Sequence, residues 1–77
     1  MTITVHYFAS LKETLGRSDD QLSITDAITV RQVWQLANPE LPLPPNLLAA
    51  VNMEYVELDH LVADDDKVAF FPPVTGG

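Results

Sequence analysis

The chain contains no cysteine, and that one absence removes several chemistries together. No disulfide framework, cysteine-ligated zinc or iron-sulfur site, or cysteine nucleophile is available, so any reactive sulfur has to be borrowed. Basic residues are scarce as well. Four Lys and Arg stand against eleven Asp and Glu, for a formal net charge of −7, which repels a phosphate backbone and favours basic protein partners. Nucleic acid is therefore not an expected ligand, although an acidic surface also serves to keep a small protein soluble. Long apolar runs are missing too. The opening MTITVHYF has no basic segment ahead of an apolar core, and no stretch approaches the roughly 20 residues of a membrane span. A soluble, cytoplasmic protein with no membrane partner is the expectation.

Chemistry-bearing clusters are equally sparse. His6 and His60 lie far apart in sequence, with no third histidine or cysteine to complete a metal site. The run Asp64, Asp65 and Asp66 lacks both the spacing and the closing glutamate of a calcium loop, so it reads as a solvated hairpin turn. Lys12 and Lys67 are isolated cations that can pair with acidic groups of a partner, and neither has a catalytic role. There is no nucleophile-base pair and no glycine-rich phosphate loop, so turnover by the isolated chain is not expected.

What is present is enough for one core. Hydrophobic residues make up 47% of 77 residues and charged residues 19%, which suits a folded domain too short to divide. A single domain over 1–77, with a flexible tail from residue 72, is expected. Residues 2–8 alternate, with Ile3, Val5 and Tyr7 on one face and Thr4, His6 and Phe8 on the other, the period of a half-buried strand. SLKETLG then predicts a short helix closed by Gly16, and a weaker strand follows at Gln21 to Ile24. Thr29 and Gln32 make a capping-box pattern, with Ile28 and Val33 placed as a staple. Val30, Val33, Trp34 and Ala37 form the buried stripe of the main helix, which Asn38 and Pro39 end. Trp34 is expected in the core. After the proline-rich LPLPPN, LLAAVN reads as a buried strand, a turn is expected at Asn52 to Glu54, a shorter strand spans Tyr55 to Leu58, and VAFF is the last strand.

Two strands before the main helix and more after it fit an α+β mixed sheet covered on one face by that helix, the β-grasp arrangement. In such a sheet the first and last strands lie parallel and adjacent. Phe70 and Phe71 are consecutive in a strand and must point to opposite faces. Val68 and Phe70 take the core side, which turns Phe71 outward toward Phe8 and Tyr55. An exposed aromatic cluster of this kind marks a partner site.

The sequence ends PPVTGG. Glycine has no Cβ, so Gly76 and Gly77 suit an extended end that threads a narrow channel, while Pro72 and Pro73 stiffen the exit. A frayed terminus is the ordinary alternative. The segments LLAAVN, DH and KVAFFPPVTGG, together with Phe8, ASLKETLG and the overall length, resemble the family of molybdopterin synthase small subunits, ubiquitin-like sulfur carriers of molybdenum-cofactor biosynthesis. The likeness spans nearly the whole chain. It implies that an adenylating enzyme akin to the ubiquitin activators uses ATP to activate the Gly77 carboxyl, which then becomes a thiocarboxylate. It implies no cofactor on this chain itself. It further implies docking on a large subunit, two of each in the assembly, through Phe8, Tyr55 and Phe71, with Pro72, Pro73, Val74 and Thr75 leading the tail into the partner's site. There Gly76 provides access and Gly77 supplies sulfur to cyclic pyranopterin monophosphate, forming molybdopterin. One departure is the turn at 64–67, where the family usually has Asp-Gly-Asp-Glu and this chain has Asp-Asp-Asp-Lys. Asp65 has to take the glycine's place, which Asp tolerates better than most residues. A sulfur carrier for thiamine or another pathway, a ubiquitin-like protein modifier, and a plain interaction domain with an inert tail share these features in part.

Overall fold

Alternation in the opening segment becomes strand β1 (Thr2–Tyr7) in the computed structural model, which describes residues 1–72, and Ile3, Val5 and Tyr7 are buried as expected. Helix α1 (Ser10–Leu15) ends at Gly16, whose left-handed φ of 73° lets its N–H reach the carbonyl of Lys12 at 3.0 Å. Strand β2 (Asp19–Ser23) begins two residues before the expected Gln21 and pairs antiparallel with β1.

The capping box forms in full. Thr29 Oγ1 accepts from the Gln32 N–H at 3.1 Å, and Gln32 Oε1 accepts from the Thr29 N–H at 2.8 Å. Helix α2 (Val30–Ala37) follows, burying Val30, Val33 and Trp34. Strands β4 (Leu48–Val51) and β5 (Glu54–Val56) are joined by Asn52 and Met53, with φ of 50° and 73°. Positive φ at both central residues is what a two-residue hairpin turn needs.

Two strands escape sequence periodicity. β3 (Ile28–Thr29) and β6 (Leu61–Val62) are two residues each and form a small antiparallel sheet of their own, too short for alternation to register. The strand expected through Leu58 stops at Val56 for a related reason. The Val30 N–H donates to the His60 carbonyl and the Arg31 N–H to the Leu58 carbonyl, both at 2.9 Å. Residues 58–60 thus leave the sheet to satisfy the free N–H groups at the start of α2.

Strand β7 (Lys67–Phe71) completes a five-stranded sheet ordered β2-β1-β7-β4-β5, with β1 and β7 parallel and the other pairs antiparallel. This is the mixed sheet beneath one main helix that the element order implied. The Asp64–Asp66 segment is not a hairpin turn, because it carries the chain from β6 in the small sheet to β7 in the large one. Asp64 Oδ1 accepts from the Thr2 N–H at 2.9 Å and Asp66 Oδ2 from the Ala63 N–H at 2.7 Å.

Under α2, Trp34 meets Phe70 edge-on at 5.2 Å and Tyr7 edge-on at 6.1 Å, while Tyr7 and Phe70 stack at 6.2 Å. The polar atoms of these rings are satisfied. Trp34 Nε1 donates to the Leu41 carbonyl at 3.0 Å, drawing the proline-rich connection onto the core. The Tyr7 hydroxyl donates to Asp20 at 2.9 Å and accepts from the buried Asn38 side chain at 3.2 Å. Burial pushes the pKa of that hydroxyl above its ordinary value, so it remains a neutral donor. Arg17 completes the network, bonding Asp20 at 2.6 Å and the Ala37 carbonyl at 3.0 Å, and ties β2 to the end of α2.

Asp65 adopts the positive φ, 71°, expected of a residue standing where a glycine would serve. Glycine has no Cβ to strain there, so Asp65→Gly should raise stability by about 0.5–1 kcal/mol and Asp65→Ala should lower it. Urea denaturation midpoints check both, and a loss of stability with glycine would contradict this account of the turn.

Candidate functional site

The sheet face opposite α2 is assembled by the same alternation that builds the core. One row of paired residues crosses it: Asp19 lies beside His6, His6 beside Ala69, Ala69 beside Ala50, and Ala50 beside Tyr55. The two alanines sit where β7 and β4 adjoin, and their short side chains leave a hollow of about 400 Å³ between larger neighbours. Phe8, Phe71 and Tyr55 wall it on one side and Met53 and Lys67 close the other.

Phe8, Tyr55 and Phe71, separated in sequence, are brought together here. Phe8 and Phe71 stack with centroids 4.9 Å apart and planes 11° from parallel, and Tyr55 lies 6.0 Å from Phe71. Phe8 follows the end of β1, yet its N–H still donates to the Phe70 carbonyl at 3.2 Å, which fixes the ring beside β7. Phe70 is completely buried whereas Phe71 is half-buried, and Phe8 and Tyr55 are 44% and 76% exposed. Aromatic rings left this open, with no covering loop among the described residues, form an apolar patch suited to a partner. Pro72 is half-buried at the end of β7. Pro73, Val74, Thr75, Gly76 and Gly77 lie outside the described residues.

Sequence reasoning missed the rest of the groove. Met53 is 98% exposed and falls in the segment whose sequence predicts only a turn. Ala50 lies in the segment read as a buried strand, yet the pairing of Leu48 with Phe71 and of Ala50 with Ala69 turns Leu48 and Ala50 outward with Phe71. His6 lies on this face 6.4 Å from Phe8. Among the described residues no group of three or more His, Cys, Asp or Glu is placed to hold a metal ion, and no helix is long and apolar enough to cross a membrane.

Comparison with known proteins places this geometry in context. Residues 5–77 match the ThiS family. The chain is 39% identical to the molybdopterin synthase sulfur carrier subunit of Escherichia coli (strain K12), over 97% of this chain and 99% of the relative. Its fold is similar to the crystal structure of H. volcanii small archaeal modifier protein 1, with a TM-score of 0.78, 25% identity, and coverage of 95% of this chain and 98% of that one. It also resembles, at a TM-score of 0.69 and 18% identity over all of both chains, a chain from the complex of subunits 1 and 2 of the molybdopterin-converting factor from Helicobacter pylori 26695.

The two neighbouring phenylalanines should respond differently to truncation. Phe70→Ala removes a fully buried ring and is expected to cost about 3–5 kcal/mol, whereas Phe71→Ala should cost about 1–2 kcal/mol, because its ring is only partly withdrawn from water. Equilibrium denaturation of both variants decides it, and equal losses would place Phe71 in the core.

Proposed function

The chain belongs to the ThiS family, and from that premise we propose that it carries sulfur as a thiocarboxylate on Gly77 and docks on its partner through the open sheet face described above. It is a sulfur carrier subunit of molybdopterin synthase and not itself catalytic. The observation that supports this most is the likeness, over almost the full length, to the E. coli subunit of that description.

A terminal carboxylate is ionised at neutral pH and is a poor electrophile. In the proposed sequence an adenylating enzyme supplies ATP, the carboxylate oxygen of Gly77 attacks the α-phosphorus, and pyrophosphate leaves. A sulfur nucleophile then displaces AMP from the acyl-adenylate, giving the thiocarboxylate. This chain contributes the acyl group and a way to present it, and holds no cofactor. Dependence on ATP fits a cytoplasmic location.

Presentation divides between two parts of the chain. Phe8, Tyr55 and Phe71 offer a ready-made apolar patch for the large subunit, in an assembly of two small and two large subunits. Pro72, Pro73, Val74 and Thr75 are the residues proposed to carry the terminus into the partner's site, the fixed φ of the two prolines reducing the entropy lost on binding. Gly76 has no side chain to obstruct the reacting carbonyl. A reading as a protein modifier draws support from the fold shared with the archaeal modifier, and differs in the fate of the activated carboxyl, which would form an amide with a lysine of another protein.

Incubation with the adenylating enzyme, ATP and a sulfur source should exchange one terminal oxygen for sulfur, with fragment masses assigning it to Gly77. Gly76→Ala should slow molybdopterin formation while its melting temperature stays that of the parent. Sulfur mapped to another residue would falsify the proposal, and conversion into amide-linked conjugates instead would favour the modifier.

A further inference from the structure

Resting on the reading of the open face as the docking surface for the large subunit, we infer that the groove receives an apolar side chain flanked by a carboxylate, and that Lys67 is the residue that meets the carboxylate. The chain holds eleven Asp and Glu and a net charge of −7, yet among the described residues no carboxylate lines this groove. Its ionisable nitrogen groups are Lys67 and His6, set against a floor of Ala50 and Ala69. An acidic chain thus borders its apolar hollow with the cation Lys67.

Lys67 is held for such a contact. Its N–H donates to Asn52 Oδ1 at 3.0 Å and its carbonyl accepts from the Asn52 N–H at 2.8 Å, while pairing with Thr4 fixes it at the start of β7. The side chain is exposed and makes no ion pair among the described residues. Nearby carboxylates are otherwise placed. Asp66 is committed to the Ala63 N–H and the Asn52 side chain, and Asp65 borders the adjoining hollow without pairing to Lys67. Asp19 lies across from His6 on the next strand, outside the groove lining.

The floor gives the contact its chemistry. Ala50 and Ala69 leave room for an incoming aliphatic or aromatic side chain, and once that side chain excludes water a carboxylate beside Lys67 interacts in a lower dielectric than at an open surface. The net negative field of the whole chain opposes an acidic partner at long range. What fits is a neutral or basic partner surface carrying one apolar residue and one carboxylate at the point of contact. Lys67 then selects the register of docking, since a basic group arriving at the same place is repelled.

The test is the affinity for the large subunit, measured at low and high salt, for the parent and for Lys67→Glu, Lys67→Arg and Lys12→Glu. Lys12 lies on α1, outside the groove lining, and its reversal changes net charge by the same amount. Lys67→Glu should bind about tenfold more weakly at low salt, with the difference shrinking at high salt, while Lys12→Glu and Lys67→Arg stay within about twofold of the parent. Unchanged or tighter binding by Lys67→Glu, or an equal loss with Lys12→Glu, overturns the inference while leaving the docking face intact. Failure of the parent itself to bind the large subunit overturns the functional reading and this inference with it.

Discussion

Two consecutive residues of an extended strand cannot share a face, and in β7 that constraint separates Phe70 from Phe71. β7 lies between β1 and β4 at the centre of the five-stranded sheet, so the division it makes extends across the whole molecule. On the Phe70 side the strands present Ile3, Val5, Val51 and Val68 to α2. On the Phe71 side they present His6, Ala69, Ala50 and Tyr55. A one-residue slip of β7 would exchange the two sets, exposing a core ring and burying the patch proposed for docking. Stability and recognition therefore depend on the same register.

Several contacts guard that register from the ends of the sheet. Near the start of β7, Asn52 bonds both the backbone of Lys67 and the carboxylate of Asp66, while Asp64 and Asp65 are tied to the Thr2 backbone. At the other end, the Phe8 N–H closes on Phe70. Behind the sheet, Tyr7, Asp20, Arg17 and Asn38 form a connected polar group in which each hydrogen-bonding atom of Tyr7 and Asn38 finds a partner. No buried side-chain nitrogen or oxygen among the described residues is left unpaired. Leaving one so would cost on the order of 1–3 kcal/mol.

Sequence alone disclosed those parts of the molecule where local chemistry repeats. The alternation of residues 2–7, the Thr29 and Gln32 cap, the stripe through Val30 and Trp34, and the Phe70 and Phe71 division all survive in the structure because each follows from backbone periodicity or an identifiable hydrogen bond. The parallel pairing of β1 with β7 was reached from element order, and with it the meeting of Phe8 and Phe71. What was not legible depends on distant partners. β3 and β6 exist only because they pair with each other, and residues 58–60 are drawn off the sheet by the start of a helix nearly thirty positions earlier. The groove floor needed the register of three strands before two ordinary alanines could be seen as an opening rather than as filling. The turn at 64–66 looked like a hairpin for the same reason, since its two flanking strands belong to different sheets.

The central claim is that one face of the sheet holds the fold together while the other meets the partner, and backbone amide resonances report on both at once. In a titration of the isotope-labelled chain with the large synthase subunit, shifts are predicted to concentrate on His6, Phe8, Ala50, Met53, Tyr55, Ala69 and Phe71, while Arg31, Gln35 and Leu36 on the outer side of α2 stay unmoved. Perturbations centred on α2, with the open sheet face unchanged, would contradict the account.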